Sequence, residues 1–208
     1  NCAFVDFGGK VISSNNTGDN STITFSGENY FANNVSENDS ILSFVKADVY
    51  FNVKPDKTDF EIPSNTIFEE NIANNVINIS GGSITAKNIN FANNSGRIFY
   101  IDGCFVDLQD IEFSNNYNCV NNVIKITGQQ SNLQMSNLSF VNNIIKRQTA
   151  GTEVARVISI ELSATTTGNL NNINIDNPTT FDNIVVIGND SNTENSFAIT
   201  QPCAFANS

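Results

Sequence analysis

Apolar and polar residues alternate along much of the chain, and two short sequence motifs recur within this alternation. The segments "VINISGG" (76–82), "IFYIDG" (98–103) and "VIKITG" (123–128) alternate and then reach Gly. A Phe followed by two Asn recurs as "NYFANN" (29–34), "NINFANN" (88–94), "IEFSNN" (111–116) and "LSFVNN" (138–143). Weaker echoes are "TIFEEN" (66–71) and "TTFDN" (179–183). Alternation at period two predicts strands in which residues of one parity are buried.

Both phrases recur in the same phase, about every 22 residues. Phe91 and Phe113 are 22 residues apart, as are Ile77 and Phe99. A repeat of this length, built of short strands and turns, is typical of a solenoid. Leucine-rich repeats have a similar length but need a Leu ladder, which is missing here. The pattern therefore predicts one coil of a parallel β-helix per repeat, with an antiparallel all-β sandwich as the alternative.

Stacked coils place like residues above like at ~4.8 Å, so the repeat also predicts the core. The predicted core residues are the recurring Phe and the inward residues of the alternating strands: Phe31, Phe68, Phe91, Phe113, Phe140, Ile77, Ile79, Phe99, Ile101, Ile124 and Ile126. The first Asn after each Phe has the parity of the Phe, so we expect an inward amide ladder of Asn33, Asn93, Asn115 and Asn142. The second Asn is expected at the corner, where Asn tolerates a left-handed backbone. Loop excursions are expected near 53–65 and 146–153.

Composition narrows the classes of partner. The 208 residues include 10 Lys plus Arg against 21 Asp plus Glu, a formal charge of -11. This balance argues against capture of nucleic acid or anionic membrane, because both need a basic face. No stretch approaches the roughly 18 apolar residues of a membrane helix, so no membrane insertion is expected. Since the chain opens at Asn1 without Met, we expect a processed or excised product.

Asn-x-Ser/Thr sequons are frequent and favour a secreted or surface-displayed glycoprotein. The glycosylation candidates are Asn15, Asn20, Asn34, Asn38, Asn78, Asn137 and Asn189. Asn93 also begins a sequon, but it should be unmodified if its amide faces the bend. The four Cys, at 2, 104, 119 and 203, include no C-x-x-C pair, and His is absent, so we expect no metal site and no cofactor.

The FxxN phrase with a nearby Gly-Gly resembles the repeats of the polymorphic outer-membrane proteins of chlamydiae and related surface proteins of protists. In that family FxxN is paired with GGA and then Ile, Leu or Val; here Gly81-Gly82-Ser83-Ile84 has Ser in place of Ala. The Phe-Asn part of the resemblance spans 31–143 and weakly reaches 183. The resemblance implies a right-handed β-helix of the pectin-lyase-like fold, used for adhesion at a cell surface.

A polysaccharide-active enzyme is the rival interpretation, because pectate lyases and polygalacturonases share the β-helix. The galacturonase motifs D-D and G-H-G are missing, and no Ser/His/Asp set exists without His. Lyases of the fold need a base beside Ca²⁺ held by carboxylates. The best carboxylate cluster for such a site is Asp102, Asp107, Asp110 and Glu112, although the register predicts that Asp102 and Glu112 point outward from different faces of one coil. Ice binding would need a regular Thr array, and outward Thr24, Thr85 and Thr127 define none.

Cys-Ala-Phe occurs near both ends, at 2–4 and 203–205. Solenoid ends expose unpaired strand edges, so we expect end-to-end self-association, with an intersubunit disulfide between Cys2 and Cys203 or else locally buried thiols. Cys104 and Cys119 either pair or remain as buried thiols.

These observations together predict one all-β domain over 1–208, a right-handed single-stranded parallel β-helix of about seven coils. The expected function is non-catalytic and extracellular: a structural or adhesive solenoid, a subunit of a head-to-tail filament, with glycans or a cell-surface partner as further ligands. A carbohydrate-binding or pectate-lyase-like β-helix is the alternative.

Overall fold

The computed structural model describes residues 1–61, 63–128, 132–148, 155–162, 171–176, 180–182, 185–187, 197–200 and 203–205, and none of these residues is helical. Strands account for most of this part of the chain. In order they are β1 (Cys2–Val5), β2 (Ile12–Asn15), β3 (Ser21–Phe25), β4 (Glu28–Ala32), β5 (Val35–Phe51), β6 (Asn65–Glu69), β7 (Ile72–Ala92), β8 (Ser95–Ser114), β9 (Cys119–Val120), β10 (Asn122–Gly128), β11 (Asn132–Val141), β12 (Ile144–Lys146), β13 (Arg156–Leu162), β14 (Asn171–Asp176), β15 (Thr180–Asp182), β16 (Val185–Ile187), β17 (Phe197–Thr200) and β18 (Cys203–Phe205).

The strands pair in parallel throughout the described residues. They form a 15-stranded and a 3-stranded sheet, and the single antiparallel bridge there, Val53 to Asp59, lies in a loop. The all-β prediction is therefore confirmed, and the alternative prediction of an antiparallel sandwich is wrong. Parallel strands need crossover connections rather than tight hairpins, which is why partners lie 22 or more residues apart in the sequence.

The pairing is organised into three ladders, each seven positions deep in the described part of the chain. Ladder A joins Phe4, Phe31, Phe68, Phe91, Phe113, Phe140 and Phe181. Ladder B joins Ile12, Leu42, Ile77, Phe99, Ile124, Ile158 and Phe197. Ladder C joins Ile23, Val49, Ile84, Val106, Leu133, Ile173 and Phe205. We number successive positions as levels 1 to 7; the chain visits A, B and C in that order at every level.

The core lies between the inward faces of these ladders. All eleven residues that the sequence predicted for the core are fully buried. In ladder A, consecutive Phe rings from Phe31 to Phe140 stack nearly parallel, with centroids 4.5–5.3 Å apart. Such stacks contribute about 0.5–1.5 kcal/mol each beyond the burial of apolar area, so the column stabilises the register as well as the core.

The first loop excursion occupies 52–64, between β5 and β6, and folds back onto ladder C. Lys57 Nζ lies 3.6 Å from an oxygen of Asp107, and Lys87 Nζ lies 3.1 Å from Asp59. Lys57 also sits 4.4 Å above the ring centre of Phe105. The loop is thus tied to the sheet at two levels. Of the second predicted excursion, 146–153, only 146–148 belong to the described residues.

Candidate functional site

A column of buried amides runs beside ladder A and is the most regular polar feature of the molecule. It consists of the Asn three residues after each stacked Phe, from level 2 to level 6: Asn34, Asn71, Asn94, Asn116 and Asn143. All five are fully buried. Buried amides are costly unless they are hydrogen-bonded, so their partners determine what the column contributes.

Asn94 shows how one level is connected to the next. Its Nδ2 donates to Oδ1 of Asn116 at 3.1 Å and to the carbonyl of Phe68 at 2.9 Å. Its Oδ1 accepts from Nδ2 of Asn71 at 2.9 Å and from the backbone N–H of Asn71 at 3.1 Å. An amide has two donor hydrogens and two acceptor lone pairs, so the hydrogen-bonding capacity of this side chain is fully used.

The predicted ladder was wrong by one residue. Asn33, Asn93, Asn115 and Asn142 have φ of 54–55°, a left-handed conformation, and form the corner instead. A left-handed residue turns the chain and breaks the alternation, so the next residue, rather than the Asn itself, points inward. The sequence could have shown this in the echo "TIFEEN". There the Asn three residues after Phe68 is kept, while Glu70, with φ 54°, occupies the corner.

Two further turn positions recur at successive levels. Between ladders B and C the left-handed residues are Lys46, Gly81, Gly103 and Gly128, and within β7, β8 and β11 the second set is Asn88, Asp110 and Asn137. Gly82 has a different role: a Cβ there would lie 2.2 Å from the carbonyl oxygen of Ala47. The Gly-Gly pair therefore combines one turn residue with one close backbone approach.

The proposed carboxylate cluster is not assembled. Asp102 follows ladder B, Asp107 belongs to ladder C and Glu112 to ladder A. Asp102 accepts from the Thr127 hydroxyl at 2.8 Å, and Asp107 lies beside Lys57. The described residues contain no group of three or more metal-binding side chains. The expectation that Asp102 and Glu112 belong to different faces is therefore confirmed, because the chain turns between one carboxylate and the next.

A polar groove lies between the first loop and ladder C. It has a volume of about 220 Å³ and is lined by Lys57, Asp59, Lys87, Asp107 and Gln109, among others. Two of its cations and two of its carboxylates form the loop's ion pairs. The groove therefore presents paired charges and the amide of Gln109. These groups suit a neutral polar ligand better than an ion.

The structure sorts the glycosylation candidates by accessibility. Asn15, Asn20, Asn38 and Asn137 are exposed, and Asn78 is half-buried. Asn34 is wrong as a folded-state site, because it is fully buried and its Nδ2 donates to Asn71 and to the Phe4 carbonyl. Asn93 sits half-buried at the corner, so the stated reason for its being unmodified is also wrong. Asn189 lies outside the described residues.

Three cysteines are described as free thiols: Cys2 is exposed, while Cys104 and Cys119 are buried. The alternative of a Cys104–Cys119 disulfide is therefore not realised. Burial raises the pKa of both buried thiols to about 12, so they stay protonated and unreactive. Cys2 begins the level 1 strand of ladder A, and Cys203 begins the level 7 strand of ladder C.

Among the described residues, no helix has the length and apolarity needed to cross a membrane. Comparison of the chain with protein-family models, with curated proteins and with solved structures found no match.

Proposed function

We propose that the chain is a non-catalytic structural or adhesive solenoid of the cell surface or extracellular space. The observation that carries the proposal is the amide ladder beside the Phe column. The buried side chains of the five ladder Asn, which follow the corner residues, hydrogen-bond one level to the next. Such repetition is what a rigid scaffold needs, since each level contacts only its neighbours.

The architecture behind this proposal is a right-handed single-stranded parallel β-helix with one coil per level. Three observations support it: the constant order of ladders A, B and C, the parallel pairing, and the left-handed turn residues that recur between strands. Right-handed crossovers are the rule for parallel strands of one sheet. Seven coils at ~4.8 Å would give a rod core roughly 30 Å long.

The resemblance to FxxN surface repeats supports the adhesive side of the proposal. The Asn of the motif is the ladder residue, and the Gly-Gly pair has a defined backbone role. Both motif elements thus have a physical reason to recur in a stacked scaffold. Outward positions, free of this constraint, would carry recognition of glycans or of a cell-surface partner.

End-to-end association forms part of the proposal. A second copy that continues the parallel register would place Phe4 over the backbone position of Phe181, extending ladder A. The disulfide fits this arrangement poorly, because Cys2 and Cys203 belong to different ladders. Register-preserving stacking keeps those two positions apart, so we propose the assembly without the covalent link.

Electron microscopy and an activity assay test the proposal together. We expect rods with an axial strand repeat near ~4.8 Å and, in glycan arrays or on cells, saturable binding by the labelled chain. Pectin incubated with the chain and Ca²⁺ should release no unsaturated sugar. Release of that product, abolished by a chelator, would refute the non-catalytic proposal.

A carbohydrate-binding module is the second candidate, favoured by the polar groove beside the first loop. Gln109 and Thr85 both line it, and the amide and hydroxyl groups that they supply are typical of sugar recognition. Gln109→Ala should weaken glycan binding if the groove is the site, whereas exposed Thr22→Ala, on the same ladder but at level 1, should leave it unchanged.

A further inference from the structure

Large apolar side chains are exposed along one edge of the molecule. The residues directly after the ladder Asn form this edge stripe: Val35, Ile72, Ser95, Tyr117 and Ile144. In each of the last four, the backbone N–H donates to the carbonyl of a ladder Asn one level earlier, at 2.8–2.9 Å, so the stripe runs along the stack. Of the seven large apolar side chains exposed in the described residues, four lie in this stripe, each 38–43% exposed.

The remaining three, Val5, Phe7 and Tyr30, belong to levels 1 and 2 and are not part of the stripe. Single exposed apolar residues are ordinary, but a contiguous row of them marks an interaction surface. The five levels of the stripe cover ~19 Å. Its midpoint is Ser95, a small residue that is only 9% exposed, so an exposed apolar pair lies on either side of a recess.

Charge is distributed unevenly along the stripe. Exposed Asp6, Glu37 and Glu70 flank levels 1 to 3, while exposed Lys146 flanks level 6. Lys10, near the acidic half, is already paired with Asp39 at 2.9 Å. Glu37 at level 2 and Lys146 at level 6 thus place opposite charges at the two ends of the stripe, an arrangement that complements itself when reversed.

We propose that the edge stripe binds a second copy of this chain, antiparallel, about a two-fold axis that passes through Ser95. The axis crosses the stripe, so level 2 of one copy faces level 6 of the other. Val35 then packs against Ile144 of the second copy, and Ile72 against its Tyr117. Ser95, only 9% exposed, lies below the axis, where a larger side chain would hold the copies apart.

The same operation fixes the charge partners. Glu37 comes two residues after Val35, and Lys146 comes two residues after Ile144, so they lie on the same side of the stripe. Rotation about an axis across the stripe preserves that side, and Glu37 therefore meets Lys146 of the second copy. A parallel arrangement would instead set Val35 against Val35 and the Glu37 ends of the two stripes together, which like charges oppose.

The expected dimer is weak. A stripe ~19 Å long buries less than the ~800 Å² per partner of a standard interface. Association should therefore depend on concentration in the micromolar range or above. This lateral pairing uses a different surface from end-to-end stacking. It does not depend on the proposed function, so either proposal can be refuted without the other.

Engineered disulfides test the geometry. In a Cys2→Ser, Cys203→Ser background, Val35→Cys with Ile144→Cys should give an oxidised dimer, because the two positions meet across the axis. Within one chain they lie ~19 Å apart, beyond the ~7 Å Cα limit of a disulfide. Each single variant should form no disulfide-linked dimer, because its own Cys and that of the second copy lie ~19 Å apart across the axis. Dimers from the single variants, or none from the double variant, would overturn the antiparallel arrangement.

Sedimentation analysis of the uncrosslinked chain tests the energetics. Ile72→Lys should raise the dimer dissociation constant at least tenfold, while Thr22→Lys, also exposed but on ladder C, should leave it unchanged. Glu37→Lys or Lys146→Glu should each raise it about fivefold, and the double reversal should restore it to within about twofold. Thermal melts establish that each variant is folded. A chain that stays monomeric at every concentration, or a double reversal without recovery, would refute the proposal.

Discussion

Asn94→Ala should destabilise the protein far more than substitution of the neighbouring Asn93. The Asn94 side chain makes four hydrogen bonds that tie three levels together, and it is fully buried. Alanine leaves two donors of Asn71 without an acceptor, its backbone N–H and one Nδ2 hydrogen. It also leaves one fewer donor for the Phe68 carbonyl and for Oδ1 of Asn116.

The size of the effect follows from these orphaned groups. A buried donor or acceptor left without a partner costs about 1–3 kcal/mol, so two orphaned donors cost about 2–6 kcal/mol. We expect about 3 kcal/mol, because water can enter the space left by the amide. Asn93→Gly is the matched control. Glycine removes the Cβ strain of φ 55° and adds unfolded-chain entropy of similar size, so the net change should stay within about 1 kcal/mol.

Urea unfolding followed by circular dichroism measures the free-energy change, and hydrogen exchange locates it. Since repeat arrays do not always unfold in two states, the exchange of the Asn71 backbone N–H is the sharper measurement. It should lose protection in Asn94→Ala and keep it in Asn93→Gly. Equal destabilisation by the two substitutions, or unchanged protection at Asn71, would refute the ladder's role.

Three further outcomes are expected. Gly82→Ala should cost several-fold more stability in urea than Gly103→Ala; both positions have positive φ, but only a Cβ at Gly82 would strike backbone, 2.2 Å from a carbonyl oxygen, whereas nothing lies within 4 Å at Gly103. Because burial raises the pKa of Cys119 from 9.0 to about 12, its stabilising effect is complete below pH 9 and is lost as pH rises towards 12; unfolding free energy should fall more steeply over that range in the wild type than in Cys119→Ala. Expression in a glycosylating cell should give occupied Asn137 and unoccupied Asn34 in folded material, by peptide mapping; a glycan on Asn34 of folded protein would contradict the ladder.

The core was predictable from the sequence because it depends on periodicity alone. Phe91 and Phe113 recur 22 residues apart, and Ile77 and Phe99 share the same spacing, which stacking in register explains. The inward side of each strand follows from alternation without knowledge of the partner strand. The same reasoning extends to the parallel pairing, since a repeat of this length leaves room for crossovers.

The amide ladder was not placed correctly because alternation fails at a left-handed residue. Parity assigned Asn93 to the interior, and one positive φ moved that role to Asn94. By contrast, the register did separate Asp102 and Glu112 onto different faces, because the exact position of a left-handed corner did not have to be known to do so. Contacts of the first loop, such as Lys57 with Asp107, depend on how an insertion folds, and no repeat encodes that.

The ladder Asn that organises the interior also determines where apolar side chains can be exposed for binding. Because each ladder Asn points inward, the next residue lies at the outer edge at the start of ladder B, where all but Ser95 are exposed. Its backbone N–H is already bound to the preceding level. That position has no role in the core, so a polar residue would serve there equally well. Val35, Ile72, Tyr117 and Ile144 are apolar all the same, and burial against another surface supplies the physical reason for it. The stripe residues therefore repeat along the outer edge at the same spacing as the levels. A second copy with the same spacing can align its own stripe with them.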